Sequence, residues 1–160
     1  MKYLKVYITI TLLFVMLKAH SQSLERPFRN VSYNLNELVI NDSVFLNDLY
    51  SFVFEKECPE IENRVYQYFI MNIEKEDSCT YKIDMECAKK PYARNSMGYF
   101  VLNDYYFFVF GCNPNNTFQI TKKTKRFEYM DGGLIFTEEF PRWFFVYRSE
   151  KLHLLEYDCW

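Results

Sequence analysis

Histidine is almost missing from this chain of 160 residues: His20 and His153 are the only two, beside four glycines, five prolines and five cysteines. Each shortage removes a chemistry. With so little glycine there is no G-x-G-x-x-G and no G-x-x-x-x-G-K-[ST], so no phosphate-cradling loop. There is no C-x-x-C pair, which removes thioredoxin-like redox work and ribbon-type zinc sites. No G-x-S-x-G elbow accompanies a serine. Low glycine and proline beside 20% aromatic residues exclude collagen-like, low-complexity and disordered chains. A formal net charge of -2 gives no electrostatic footprint for nucleic acid.

The first residues read as an export leader, 1–21. Lys2 and Lys5 form a basic start, Val6 to Leu17 is apolar apart from two threonines, and Ala19-His20-Ser21 places small residues at a cleavage site before Gln22. The run is shorter than the ~20 apolar residues of a spanning helix, and no later stretch is long enough, so no stable membrane span is expected after cleavage. Losing Lys2, Lys5 and Lys18 with no acid takes the net charge from -2 to -5 and leaves 139 residues. His153 is then the last histidine. The short leader is of bacterial type, and the N-x-[ST] sites at Asn30, Asn41 and Asn115 are read as chance. Export implies the periplasm, the cell surface or the medium.

Residues 22–160 are expected to form a single α+β domain. Gln22 to Asn36 reads as a polar, irregular arm. Asp42 or Ser43 then caps a helix whose stripe is Phe45, Leu49, Phe52 and Val53, flanked by Leu46 and Tyr50, and Pro59 follows its end. The remainder reads as strands. Val65, Phe69, Met71 and Ile73 share one face of the first, and Tyr81, Ile83, Met85 and Cys87 share one face of the second, with Lys82, Asp84 and Glu86 opposite. Gly98 to Gly111 reads as a hairpin turning at Asn103-Asp104. It lacks alternation, so both its faces should be covered or one should carry exposed rings. Thr117 to Met130 is a polar strand protected at its edge by lysines. Asp131-Gly132-Gly133 reads as a turn, and Trp143 to Tyr157 as a last hairpin. One helix followed by consecutive antiparallel strands suggests a helix laid across a curved sheet, cystatin-like in general shape.

Cys58, Cys79, Cys87, Cys112 and Cys159 all follow the leader, and an oxidising compartment favours disulfides. An odd number leaves at least one outside an intramolecular bridge, and the pairing stays open. Cys79 with Cys87 is disfavoured, because eight residues of strand span ~26 Å and a bridge needs Cα atoms within ~7 Å. One histidine and no ligand spacing give no metal site, and no cofactor motif exists.

His153 near the chain end has no recognisable nucleophile beside it, so it reads as a strand histidine. Asp84 with Glu86, and Glu138-Glu139, offer carboxylates. A glycosidase pair needs a cleft ~5–9 Å across, for which a domain this small has little room. The expectation is therefore a non-enzymatic exported protein. The leader's loss leaves 29 of the 32 aromatic residues, more than one helix and one sheet can hide. Tyr99, Tyr105, Tyr106, Trp143, Phe145 and Tyr147 are the candidates to reach a surface and bind. Tyr and Trp anchor protein interfaces, so the function expected is binding another protein, as an inhibitor, an immunity-type protein or an envelope partner. The same rings beside Asn and Asp suit a carbohydrate-binding or adhesion module as the alternative. A small carboxylate hydrolase ranks below both.

Overall fold

The computed structural model describes residues 25–56, 58–64, 66–134 and 140–159. The expected leader, 1–21, lies outside them, as does the Glu138-Glu139 pair. Eight strands follow one another with two helices between the first and second: β1 (Glu25–Ile40), α1 (Ser43–Phe54), α2 (Pro59–Glu62), β2 (Tyr68–Lys75), β3 (Thr80–Ala88), β4 (Gly98–Leu102), β5 (Tyr105–Gly111), β6 (Phe118–Leu134), β7 (Arg142–Arg148) and β8 (Lys151–Asp158). The sheet order is β6-β1-β4-β5-β2-β3-β7-β8. Contacts divide the chain into two compact units, one of 32–129 with 139–160, the other of 1–31 with 130–138. Of the second unit the described parts are the first residues of β1 and the last of β6, where Arg29 meets Asp131 at 3.2 Å.

This arrangement overturns the α+β, cystatin-like expectation. The protein is mostly β, and its sheet is mixed: β1 runs parallel to β4, and β2 parallel to β5. The supposed irregular arm is most of a 16-residue strand. Its pattern was period two, with Ser32 and Asn34 exposed between half-buried Tyr33 and buried Leu35. The β4–β5 hairpin is inserted between β1 and β2, so chain neighbours are not sheet neighbours there. Asp131-Gly132-Gly133 is no turn, because β6 runs through it.

Several local expectations hold. Asp42 caps α1, its Oδ1 accepting the backbone N–H groups of Val44 and Phe45 at 3.0 Å each. Phe45, Leu49 and Val53 are the buried stripe. The β4–β5 turn has positive φ at Asn103 and Asp104, and the β7–β8 turn at Ser149 and Glu150, as two-residue hairpin loops require. β6 is an edge strand carrying exposed Lys122, Lys123, Lys125 and Arg126. Two glycines are dictated by close approach. A Cβ on Gly98 would meet the Asn36 carbonyl oxygen at 2.6 Å, and one on Gly111 (φ +84) the Ile73 carbonyl oxygen at 2.1 Å.

The inner face of the sheet and α1 form the main core. Phe100, Phe107 and Phe69, from three adjacent strands, stack at 4.7 and 4.4 Å, and Trp143 meets Phe69 at 5.7 Å. Phe45 of α1 touches Phe118 and Tyr147 edge-on, each at 5.6 Å. A disulfide joins Cys58, just before α2, to Cys159, just after β8. Cys79 and Cys112 are exposed thiols, and Cys87 is buried in the core.

Candidate functional site: the outer face of the sheet

Side chains at the alternate positions point to the outer face. On β5 these are Tyr106, Phe108 and Phe110, while Tyr105, Phe107 and Val109 point inward. A second, smaller core forms there from Leu35, Ala93, Tyr99, Phe108 and Phe127. Phe127 lies edge-on to Tyr99, Tyr106 and Phe108 at 5.0, 5.5 and 5.0 Å. In the sheet β6 borders only β1, so β6 must curl over the outer face for Phe127 to reach β5. Both faces of the β4–β5 hairpin are thereby covered over much of its length.

Five of the six expected surface aromatics are therefore inside. Tyr99 is buried under Phe127. Tyr105 is buried in the inner core, and its hydroxyl donates to the Ile61 carbonyl at 2.6 Å. Trp143, Phe145 and Tyr147 are each 1% exposed. They point inward because β7 pairs with β3 on one side and β8 on the other, Trp143 opposite Met85 and Tyr147 opposite Tyr81. Burial raises the pKa of Tyr99 and Tyr105. Tyr147 is pushed up to about 12 by burial and by its hydrogen bond to the Asp42 carboxylate, 2.6 Å long.

Tyr106 remains, and it stands in a row that sequence reading did not assemble. β1 and β4 pair with Glu37 opposite Tyr99. Two residues further along each strand, Val39 and Val101 stand on the same face, 46% and 49% exposed. Val101 is opposite Tyr106, and Tyr106 is opposite Tyr68 on β2. Tyr68 and Tyr106 are half-buried, with ring centroids 6.1 Å apart. Four adjacent strands thus present Val39, Val101, Tyr106 and Tyr68 as one apolar strip, at the margin of the cover that Phe127 lays against Tyr106. The signal for it was present: these residues hold the parity opposite to the core set, but only the strand order brings them together.

Cations border the strip. The Lys125 ammonium lies 4.1 Å from the centre of the Tyr106 ring and hydrogen-bonds its hydroxyl. Lys123, itself 82% exposed, pairs with Glu37 at 3.4 Å. Farther along the outer face the surface turns polar. Arg142 bonds Asp84 at 2.8 Å and lies 3.8 Å from Glu86. Burial raises the Glu86 pKa, Arg142 opposes that, and Asp84 adds to it. Both carboxylates are more than a third exposed, and they share one guanidinium at a rim.

His153 is exposed on β8, opposite Val146. A bulge at Leu155 puts His153 and Tyr157 on opposite faces of β8, because Tyr157 pairs with Trp143 while His153 pairs with Val146. Among the described residues no three His, Cys, Asp or Glu side chains gather as a metal site. No described helix is long and apolar enough to cross a membrane. Comparisons with protein-family models, curated proteins and solved structures return no match for this chain.

Proposed function

We propose that this is an exported, non-catalytic protein whose outer sheet face binds another protein. The observation that carries the reading is the strip Val39-Val101-Tyr106-Tyr68, an apolar surface across four adjacent strands with a cationic border. The tyrosine pair is of the residue type that anchors an interface centre, and the lysines beside it suit a polar rim. The border is Lys123 and Lys125 on β6, with Lys122 and Arg126 also exposed on that strand. A partner with an apolar protrusion ringed by carboxylates complements both features. The Cys58–Cys159 bridge supports an oxidising compartment, in keeping with cleavage after residue 21. An inhibitor, an immunity-type protein or an envelope partner would each use such a face.

The test is capture of a stoichiometric partner by the purified chain from its own envelope and secreted fractions. Wild type is compared with Val101→Glu on the strip and Leu155→Glu on the far edge strand. Loss of the captured protein with Val101→Glu alone, at unchanged melting temperature, is the expected result. Equal capture by wild type and Val101→Glu overturns the reading, as does loss with Leu155→Glu alone.

A further inference from the structure

β8 stands at one end of the sheet order, and among the described residues its far edge pairs with no strand. Such an edge offers backbone N–H and C=O groups to another strand. The N–H of Leu152 lies on that side, where it donates to the Asp48 carboxylate of α1 at 3.1 Å. Beyond it the strand is exposed from Leu155 to Asp158, Leu155 at 66%. Edges are commonly guarded by proline or by a charge at their middle. β8 has no proline, and its two central residues are Leu154 and Leu155.

The strand's own chemistry names what fits there. The segment Lys-Leu-His-Leu-Leu-Glu-Tyr-Asp, residues 151–158, is complementary to itself read backwards. Laid antiparallel to a second copy about a point between Leu154 and Leu155, it sets Lys151 opposite Asp158, Leu152 opposite Tyr157 and His153 opposite Glu156. Leu154 then meets Leu155. Each basic side chain faces an acid and each apolar one an apolar one. Sliding the register by one residue in either direction loses both polar pairs.

The bulge at Leu155 makes this register possible. Opposed residues of an antiparallel pair share a face, whereas Lys151 and Asp158 would point to opposite faces of a regular strand, because side chains alternate. The bulge resets the alternation. Lys151 and His153 are paired with Arg148 and Val146, and Glu156 and Asp158 with Phe144 and Arg142, all on the outer face. Leu152 and Tyr157 are paired with Tyr147 and Trp143 on the inner face. Across the β7–β8 ladder, Lys151 stands opposite the like charge of Arg148, and Glu156 stands opposite Phe144. A second copy answers both.

The structure assigns this edge to a second copy of the chain: β8 adds to β8 about a twofold axis and joins two eight-stranded sheets into one. Leu154 and Leu155 of both copies form the apolar centre. The His153–Glu156 and Lys151–Asp158 pairs form the rim. The Leu152 N–H passes from Asp48 to the carbonyl of the partner's Tyr157, and the Asp48 carboxylate returns to water. One strand pair is a small interface, so the dimer is weak, with a Kd of about 10–100 µM. The outer-face strip lies on other strands, and neither surface depends on the other.

The experiment is sedimentation of the purified chain over a concentration series. Cys79→Ser and Cys112→Ser are present throughout, so that the exposed thiols cannot cross-link two chains. This parent should pass from monomer to dimer as concentration rises. Leu155→Glu should weaken the dimer by about tenfold or more, and Lys151→Glu, which sets acid against acid twice per dimer, by about tenfold. Adding Asp158→Lys to Lys151→Glu restores opposite charges in the same register and should bring the dimer back to within about threefold of the parent. All variants should melt with the parent at about 1 µM, because each replaced β8 side chain is exposed. A parent still monomeric at about 1 mM leaves the edge to some other strand and overturns the inference. A dimer indifferent to Leu155→Glu overturns it as well, as does a charge swap that fails to restore what Lys151→Glu removes.

Discussion

The two faces of the sheet use aromatic rings in opposite ways, and β5 shows it within six residues. Its inward set, Tyr105, Phe107 and Val109, is sealed by α1 and the neighbouring strands. Its outward set begins at half-buried Tyr106, continues through buried Phe108 under the curl of β6, and reaches half-buried Phe110. The inner face is covered by a separate element that cannot yield without unpacking the core. The outer face is covered only in part, by a bent edge strand. The difference teaches that aromatic content says how much surface a chain can bury, while coverage decides which rings are left to bind.

The sharpest way to break the comparison is to remove one ring from each face. Phe107→Ala leaves a cavity in the Phe100-Phe107-Phe69 stack and should cost about 3–5 kcal/mol in a denaturant titration. Phe127→Ala on the outer face should cost less, about 2 kcal/mol, because the curled end of β6 can settle into the space. Equal losses would mean that the outer cover is as rigid as the helix. Next in size is the disulfide. Replacing Cys58 and Cys159 by serine releases a 101-residue separation and should cost about 2–5 kcal/mol, read from the melting temperature with and without reductant.

Tyr147 offers a pH-based check on the inner face. Its folded pKa is raised to about 12, so the native state holds its proton more tightly than the unfolded chain, where a tyrosine titrates near pH 10. The stability this contributes is complete below about pH 10 and is lost as pH rises toward about 12. Tyr147→Phe should remove that part of the alkaline loss, at a cost of about 1 kcal/mol near neutral pH from the broken bond to Asp42. An unchanged alkaline profile in the variant would place the proton release elsewhere. The smallest effect is expected at the strip, where Val101→Glu should change stability by about 0.5 kcal/mol or less. A larger loss would show that Val101 is held by packing and is no free surface.

Much of the local structure was readable. Asp42, the Phe45-Leu49-Val53 stripe, the inward parity of β2 and β3 and the Asn103-Asp104 turn each depend on groups a few residues apart. The polar strand β1 was harder. Its alternation of Tyr33 and Leu35 with Ser32 and Asn34 is the period of a strand, yet its asparagines and serine resemble loop composition. α2 has four residues, too few for a periodic signal. The exposure expected of five rings failed for a different reason. Tyr99, Tyr105, Trp143, Phe145 and Tyr147 were chosen by residue type, and type is silent about whether β6 or α1 lies overhead.

The sequence by itself determined the periods of β2 and β3, the cap of α1, the β4–β5 and β7–β8 turns and the shortage of reactive groups, because these follow from backbone geometry and side-chain chemistry over short spans. The tertiary structure alone decided the parallel pairings, the insertion of β4–β5 between β1 and β2, the Cys58–Cys159 partnership and the exposure of each ring. Those depend on which distant segments meet. Such meetings are selected by the burial of the whole chain rather than by any one stretch of it.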